Sequence, residues 1–159
     1  MLWIVIPVLI VIIDQVTKYI VLKNISLNQM IPVIEDFFYL TLHKNSGGAW
    51  GILQNSRIFF LVAIPVISAG VIYSIVKNKN SVMRLALSLI LGGAIGNYID
   101  RLLFGTVTDF FLFYIGPYPF PVFNVADIAV TCGTILLVVY MLFIYKEPQE
   151  EGKEEAGND

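Results

Sequence analysis

Cysteine and histidine occur once each in this 159-residue chain, as Cys132 and His43. That scarcity excludes an internal disulfide and a zinc centre of the usual Cys/His kind. It also weakens a Ser-His-Asp triad, since His43 would have to serve it. No G-x-S-x-G, H-E-x-x-H or Walker loop occurs. A Ser-Lys dyad on Lys18 would need its serine from elsewhere, because residues 2–22 contain none. Cys132 reads as a small core residue and His43 as a surface residue. Charge is scarce too: 14% of residues are charged against 57% hydrophobic. A soluble domain is not composed this way, and nothing suggests a nucleic-acid partner.

What the chain does have is long apolar runs. A membrane-crossing helix needs about 20 mostly apolar residues, and four stretches qualify, roughly 2–22, 58–76, 82–103 and 125–145. The expected fold is an all-α membrane protein with four transmembrane helices, forming one domain over residues 1–145. The first span lacks a basic n-region and an A-x-A-like cleavage site, and is interrupted by Asp14 and Lys18. It therefore reads as a retained helix rather than a signal peptide. Six of the twelve acids fall in residues 147–159, so 146–159 reads as an acidic, solvated, disordered tail.

Lys and Arg accumulate in short cytoplasmic loops. Lys77 and Lys79 lie between the second and third spans, with Arg84 just beyond, whereas residues 104–124 contain no Lys or Arg. The latter connection is thus expected outside, with both termini cytoplasmic. The other outer connection, residues 23–57, is too long for a simple link. In it Phe38, Leu40 and Leu42 alternate with Tyr39, Thr41 and His43, the period of a half-buried strand. A small extracytoplasmic β platform is expected within it. Residues 104–124 carry eight Phe or Tyr and are expected to lie along the membrane surface.

Charge at membrane depth costs roughly 2.5–3.5 kcal/mol per residue on insertion scales. The chain nevertheless places Asp14, Lys18, Asp100, Arg101 and Asp127 within or at the edge of its spans. With the topology above, all fall in one layer near the outer face. Ion pairing of Asp14 with Lys18, and of Asp100 with Arg101, would make them tolerable. Gly92 and Gly96 form a GxxxG step suited to helix packing. Asp109 and Asp127 lack a local cation. Asn124 can cap the fourth span, with Asp127 at its third position, and Asp109 could be a turn residue. Alternatively, two neighbouring carboxylates cannot both ionise cheaply, and such a dyad activates water. Spacing alone does not bring them together. A small ion or solute transporter and a membrane scaffold are the competing readings, although a path should place polar groups at more than one depth.

Five blocks sharpen the choice: Asp14-Gln15-Val16-Thr17-Lys18, Asn45-Ser46-Gly47-Gly48-Ala49-Trp50-Gly51, residues 92–101 ending in Asn97-Tyr98-Ile99-Asp100-Arg101, Val107-Thr108-Asp109-Phe110, and Phe123-Asn124-Val125-Ala126-Asp127. In these blocks, taken in order, the chain resembles lipoprotein signal peptidase (signal peptidase II), an aspartic peptidase family of bacterial cytoplasmic membranes. The resemblance implies that Asp109 and Asp127 are catalytic. It implies a supporting polar shell of Asn45, Asn97, Arg101 and Asn124, with Asp14, Lys18 and Asp100 holding the site together. The implied substrate is a prolipoprotein cut just before its diacylglyceryl-modified lipobox cysteine, in contact with membrane lipids, without metal or cofactor. Inhibition by globomycin-like cyclic peptides is implied as well. The cap position of Asp127 would favour its charge and leave the proton on Asp109, although coupled carboxyls titrate as a pair and the sequence does not assign the proton to one of them.

Overall fold

The computed structural model describes residues 2–48, 54 and 56–145. The acidic tail and residues 49–51 of the second motif block lie outside the described residues. Four helices form where apolar runs reach membrane length: α1 (Leu2–Asn24), α2 (Arg57–Lys77), α3 (Ser81–Phe104) and α4 (Val125–Val139). Each observed span lies within a few residues of its expected bounds. The difference is at the end of α4, where Tyr140–Ile144 continue as a π-helical turn closed by Tyr145 N–H on the Tyr140 carbonyl at 2.8 Å. With that turn included, all four helices are long and apolar enough to cross a membrane.

Local chemistry sets the helix ends. Asn80 caps α3 by accepting the N–H groups of Val82 and Met83. Gly105 ends α3 at φ 77°, the left-handed conformation that glycine adopts without strain. Asn124 and Asp127 cap α4 reciprocally.

α3 is the central helix and packs against α1, α2 and α4. Its small residues permit this. A Cβ on Gly92 would sit 3.0 Å from the Pro7 Cα of α1, one on Gly96 would sit 2.7 Å from Asp14 Oδ2, and one on Gly93 would run into the Ala126 carbonyl of α4. The Gly92/Gly96 step is therefore a packing surface for α1, as its spacing suggests. Most other helix side chains point outward. Ile4, Ile58, Val66 and Val76 are among many large apolar groups left exposed, as suits helices whose solvent is lipid.

Cys132 departs from its expected place: it is exposed on α4 rather than packed in the core. In lipid a small apolar side chain gains little by turning inward, so burial does not follow from hydrophobicity there.

The platform is larger than its sequence pattern suggests. β1 (Met30–Ile34) and β2 (Phe38–Asn45) form an antiparallel hairpin. The second connection, read from its sequence as an aromatic loop, supplies β3 (Val107–Ile115) and the two-residue β4 (Tyr118–Pro119). The sheet order is β1-β2-β3-β4. Aromatic pairs weld it together, with Phe38 stacked on Phe113 at 4.5 Å between centroids and Phe113 on Phe123 at 5.8 Å. Its inner face joins the helices through a small core of Val21, Ile25, Leu42 and Phe110.

Candidate active site

The end of α1, the end of α3, the start of β3 and the start of α4 meet at one end of the bundle, and the intramembrane charges gather there. Lys18 is 2% exposed, its ammonium 2.8 Å from Asp14 Oδ2 and 3.3 Å from Asp100 Oδ2. Asp14 Oδ1 accepts the Ala126 N–H of α4 at 2.9 Å, and Asp100 Oδ2 accepts the Thr108 N–H of β3 at 2.8 Å. Two carboxylates around one ammonium thus fasten three helices and the sheet. Asp14 pairs with Lys18 as its i,i+4 spacing suggests.

Asp100 does not pair with Arg101, contrary to expectation. Consecutive helical residues diverge by about 100°, so Asp100 faces α1 and Lys18. Arg101 instead donates to the Gly47 carbonyl at 2.6 Å and to the Asn97 carbonyl at 3.2 Å, and lies over the Phe60 ring at 4.4 Å. Arg57, which had no assigned part, donates to the Arg101 and Leu102 carbonyls at 3.1 and 3.0 Å. It satisfies the exposed carbonyl end of α3.

Gln15, next to Asp14 in the first motif block, takes a part that the sequence does not suggest. Its Nε2 lies 3.1 Å from Asp14 Oδ2, 3.0 Å from Asp100 Oδ1 and 3.1 Å from the Gly96 carbonyl. Its placement beside the first aspartate was the available signal, but its partners come from another helix and spacing could not supply them.

Asp109 and Asp127 meet across Asn124. The Asn124 amide donates to Asp109 Oδ1 at 2.6 Å, while its Oδ1 accepts the Asp127 N–H at 2.9 Å. Asp127 Oδ2 in turn accepts the Asn124 N–H at 3.1 Å, completing a capping box. Asp109 Oδ2 receives the Asn45 amide at 3.0 Å, and Asp127 Oδ1 receives the Asn97 amide at 2.8 Å. The Asn97 oxygen is held by Lys18 at 2.9 Å and by Asn124 at 3.0 Å. Each carboxylate therefore has an asparagine donor from a different element, and Asn97 links the pair to the Lys18 cluster.

Asp109 is a strand residue, not a turn residue, and is 1% exposed. Burial, with the Asp127 charge adding to it, pushes its carboxyl up to about 7 against the bonds from Asn45 and Asn124 and the charge of Lys18. His43 pairs in register with Asp109 but is exposed. Lys44 donates to Thr108 Oγ1 at 3.0 Å and lies over the Phe104 ring. Partial burial lowers its pKa, with the Lys18 charge acting in the same direction and Asp100 and Asp109 opposing.

Fold and site together define a polytopic membrane protein with an asparagine-bridged pair of carboxylates, Asp109 buried and Asp127 half-buried, at one end of its helix bundle. The family model described as signal peptidase (SPase) II matches residues 6–143, and the chain belongs to that family of proteases. A relative named lipoprotein signal peptidase from Bacillus pumilus (strain SAFR-032) is 47% identical over 139 residues, covering 86% of this chain and 90% of its own. One of the same name from Geobacillus kaustophilus (strain HTA426) is 46% identical over 147 residues, covering 91% and 94%. A solved structure described as a bacterial membrane enzyme superposes with TM-score 0.84 at 39% identity, covering 98% of this chain and 94% of that one.

Proposed function

We propose that this chain removes signal peptides from prolipoproteins, cutting just before the diacylglyceryl-modified lipobox cysteine, with Asp109 and Asp127 as its catalytic pair. The observation that carries the assignment is the Asn124 bridge, which holds a strand carboxylate and a helix-cap carboxylate together at the bundle end. The charged form belongs on Asp127, at the positive end of α4, and the proton on Asp109. Asp127 takes a proton from water as that water attacks the scissile carbonyl. Asp109 hydrogen-bonds the carbonyl oxygen and supplies a proton as charge develops there; the tetrahedral intermediate then collapses, the C–N bond breaking as Asp127 passes its proton to the departing amine nitrogen and Asp109 recovers its own from the hydroxyl. Asn45, Asn97 and Asn124 fix the two carboxyl groups; Arg101, on the Gly47 carbonyl, ties the strand-β2 loop to α3. Asp14, Lys18 and Asp100 form the supporting cluster.

A lipid-bearing substrate suits this location, with its acyl chains in the bilayer and its peptide bond at the rim. Transport, the competing reading of intramembrane charge, finds no support: Asp14, Lys18, Asp100, Asp109 and Asp127 gather at one end. The purified chain should cleave a diacylglyceryl lipobox peptide before the cysteine and be inhibited by globomycin-like cyclic peptides. No cleavage of that peptide by folded protein would sink the proposal.

The same reading makes residues 1–145 one peptidase domain of the bacterial cytoplasmic membrane, with both termini cytoplasmic, an acidic tail at 146–159 and the active site near the outer face. In intact cells a membrane-impermeant thiol reagent should label a cysteine placed at Tyr118 and spare one placed at Asn78, both assayed in a Cys132→Ser background. The reverse pattern would invert the topology.

A further inference from the structure

The cations bordering the carboxylate pair are not equally occupied. Lys18 lies on two carboxylates, while Arg57 and Arg101 each lie on two backbone carbonyls. Among the described residues, the hydrogen-bond partner of Lys44 is the single neutral hydroxyl of Thr108. An ammonium has three N–H donors, so two remain for other acceptors.

Its placement is specific. On β2, Lys44 immediately precedes Asn45, the donor to Asp109, and it pairs in register with Thr108, the residue before Asp109. Its ammonium lies 5.4 Å from the ring centre of Phe104, the last residue of α3, which is 57% exposed on the bundle surface. Lys44 and Thr108 thus share the strand face opposite Asn45 and Asp109, which puts the ammonium beside the carboxyl pair, at the exposed end of α3.

We propose that Lys44 is a specificity-determining residue that hydrogen-bonds the ester carbonyl oxygens of the substrate's diacylglyceryl group. The inference rests on the function proposed above. A bond cut next to the lipidated cysteine puts the glycerol within a few ångströms of the dyad, with its acyl chains toward lipid. The ester carbonyls are then the acceptors nearest the rim, and they are neutral. An ammonium already lowered in pKa by partial desolvation gains from such acceptors without a buried counter-charge.

The test compares two lipobox peptides that differ only in the glycerol linkages, dipalmitoyl ester and dihexadecyl ether, in a detergent without ester groups. The wild-type enzyme should show a KM about tenfold lower for the diester, the value of about 1.4 kcal/mol in binding. Lys44→Met should raise KM about tenfold for the diester, leave the diether unchanged and keep kcat within about twofold. Lys44→Arg should keep most of the preference. Equal KM changes on both substrates, or a wild-type enzyme indifferent to the linkage, would overturn the assignment while leaving the peptidase reading intact. Failure of the wild-type chain to cut either peptide would defeat both. The unchanged diether rate shows that a variant is folded.

Discussion

Asp109→Asn and Asp127→Asn are each expected to reduce cleavage of lipidated peptide by at least about a hundredfold, the lower range of what a positioned acid or base contributes. Folding and substrate binding should survive. Asparagine nearly preserves volume and can still accept the Asn124 or Asn45 bond at 109 and the Asn97 bond at 127, but it neither takes a proton from water nor supplies an acidic one. Retention of more than about a tenth of the wild-type rate, a loss under about 1.4 kcal/mol in barrier, would sink the two-aspartate mechanism. The pH profile tests which carboxyl holds the proton. With its pKa raised to about 7, Asp109 is protonated below that pH and ionised above it. Its service as the acid should thus persist through mildly acidic pH and fall as pH rises past about 7. A rate that rises steadily through pH 7–9 would move the proton off Asp109.

The helices were legible because membrane length imposes a threshold that composition alone can meet, and α1 to α4 each meet it. The cap of α4 was legible for a different reason: Asn124 and Asp127 are three residues apart, and a capping box is local. The sheet was half legible. β2 announces itself because Phe38, Leu40 and Leu42 alternate in sequence with Tyr39, Thr41 and His43, although its burial is graded rather than alternating. β3 runs buried on both sides over residues 107–110, and a strand covered on both faces has no alternation to read. Its aromatic residues therefore resembled an interfacial loop. Cys132 was misplaced because burial inferred from apolar character assumes water outside.

Within the site, the identity of the polar residues was visible but their pairing was not. Asp100 and Arg101 are neighbours in sequence and divergent in space. The Asn124 bridge joins residues 15 positions apart across a strand and a helix, and only the fold closes that distance. The bridge also shows why the pair sits at the sheet-helix junction. On the mechanism proposed above, the positive end of a helix would favour charge on Asp127, and the poor solvation of a buried strand would keep the proton on Asp109. Two identical side chains would then take different roles from the elements that carry them.

Lys18→Ala is expected to act on folding before it acts on chemistry. The substitution leaves Asp14 and Asp100, 0% and 2% exposed, facing each other without the ammonium between them. Removing one partner of a buried ionic group typically costs about 3–5 kcal/mol, a large share of a domain's stability. The backbone bonds that these carboxylates accept from Ala126 and Thr108 tie α4 and β3 to α1 and α3, so the damage should spread to the junction that positions both aspartates. Low yield of folded protein and a lower Tm in detergent are the expected results, with residual activity following the folded fraction. Replacing the whole cluster, as Asp14→Asn with Lys18→Met and Asp100→Asn, should recover part of the lost stability, because no carboxylate is then left unpaired. A Lys18→Ala protein with wild-type Tm and no activity would instead make the ammonium a participant in the reaction, reaching the dyad through Asn97.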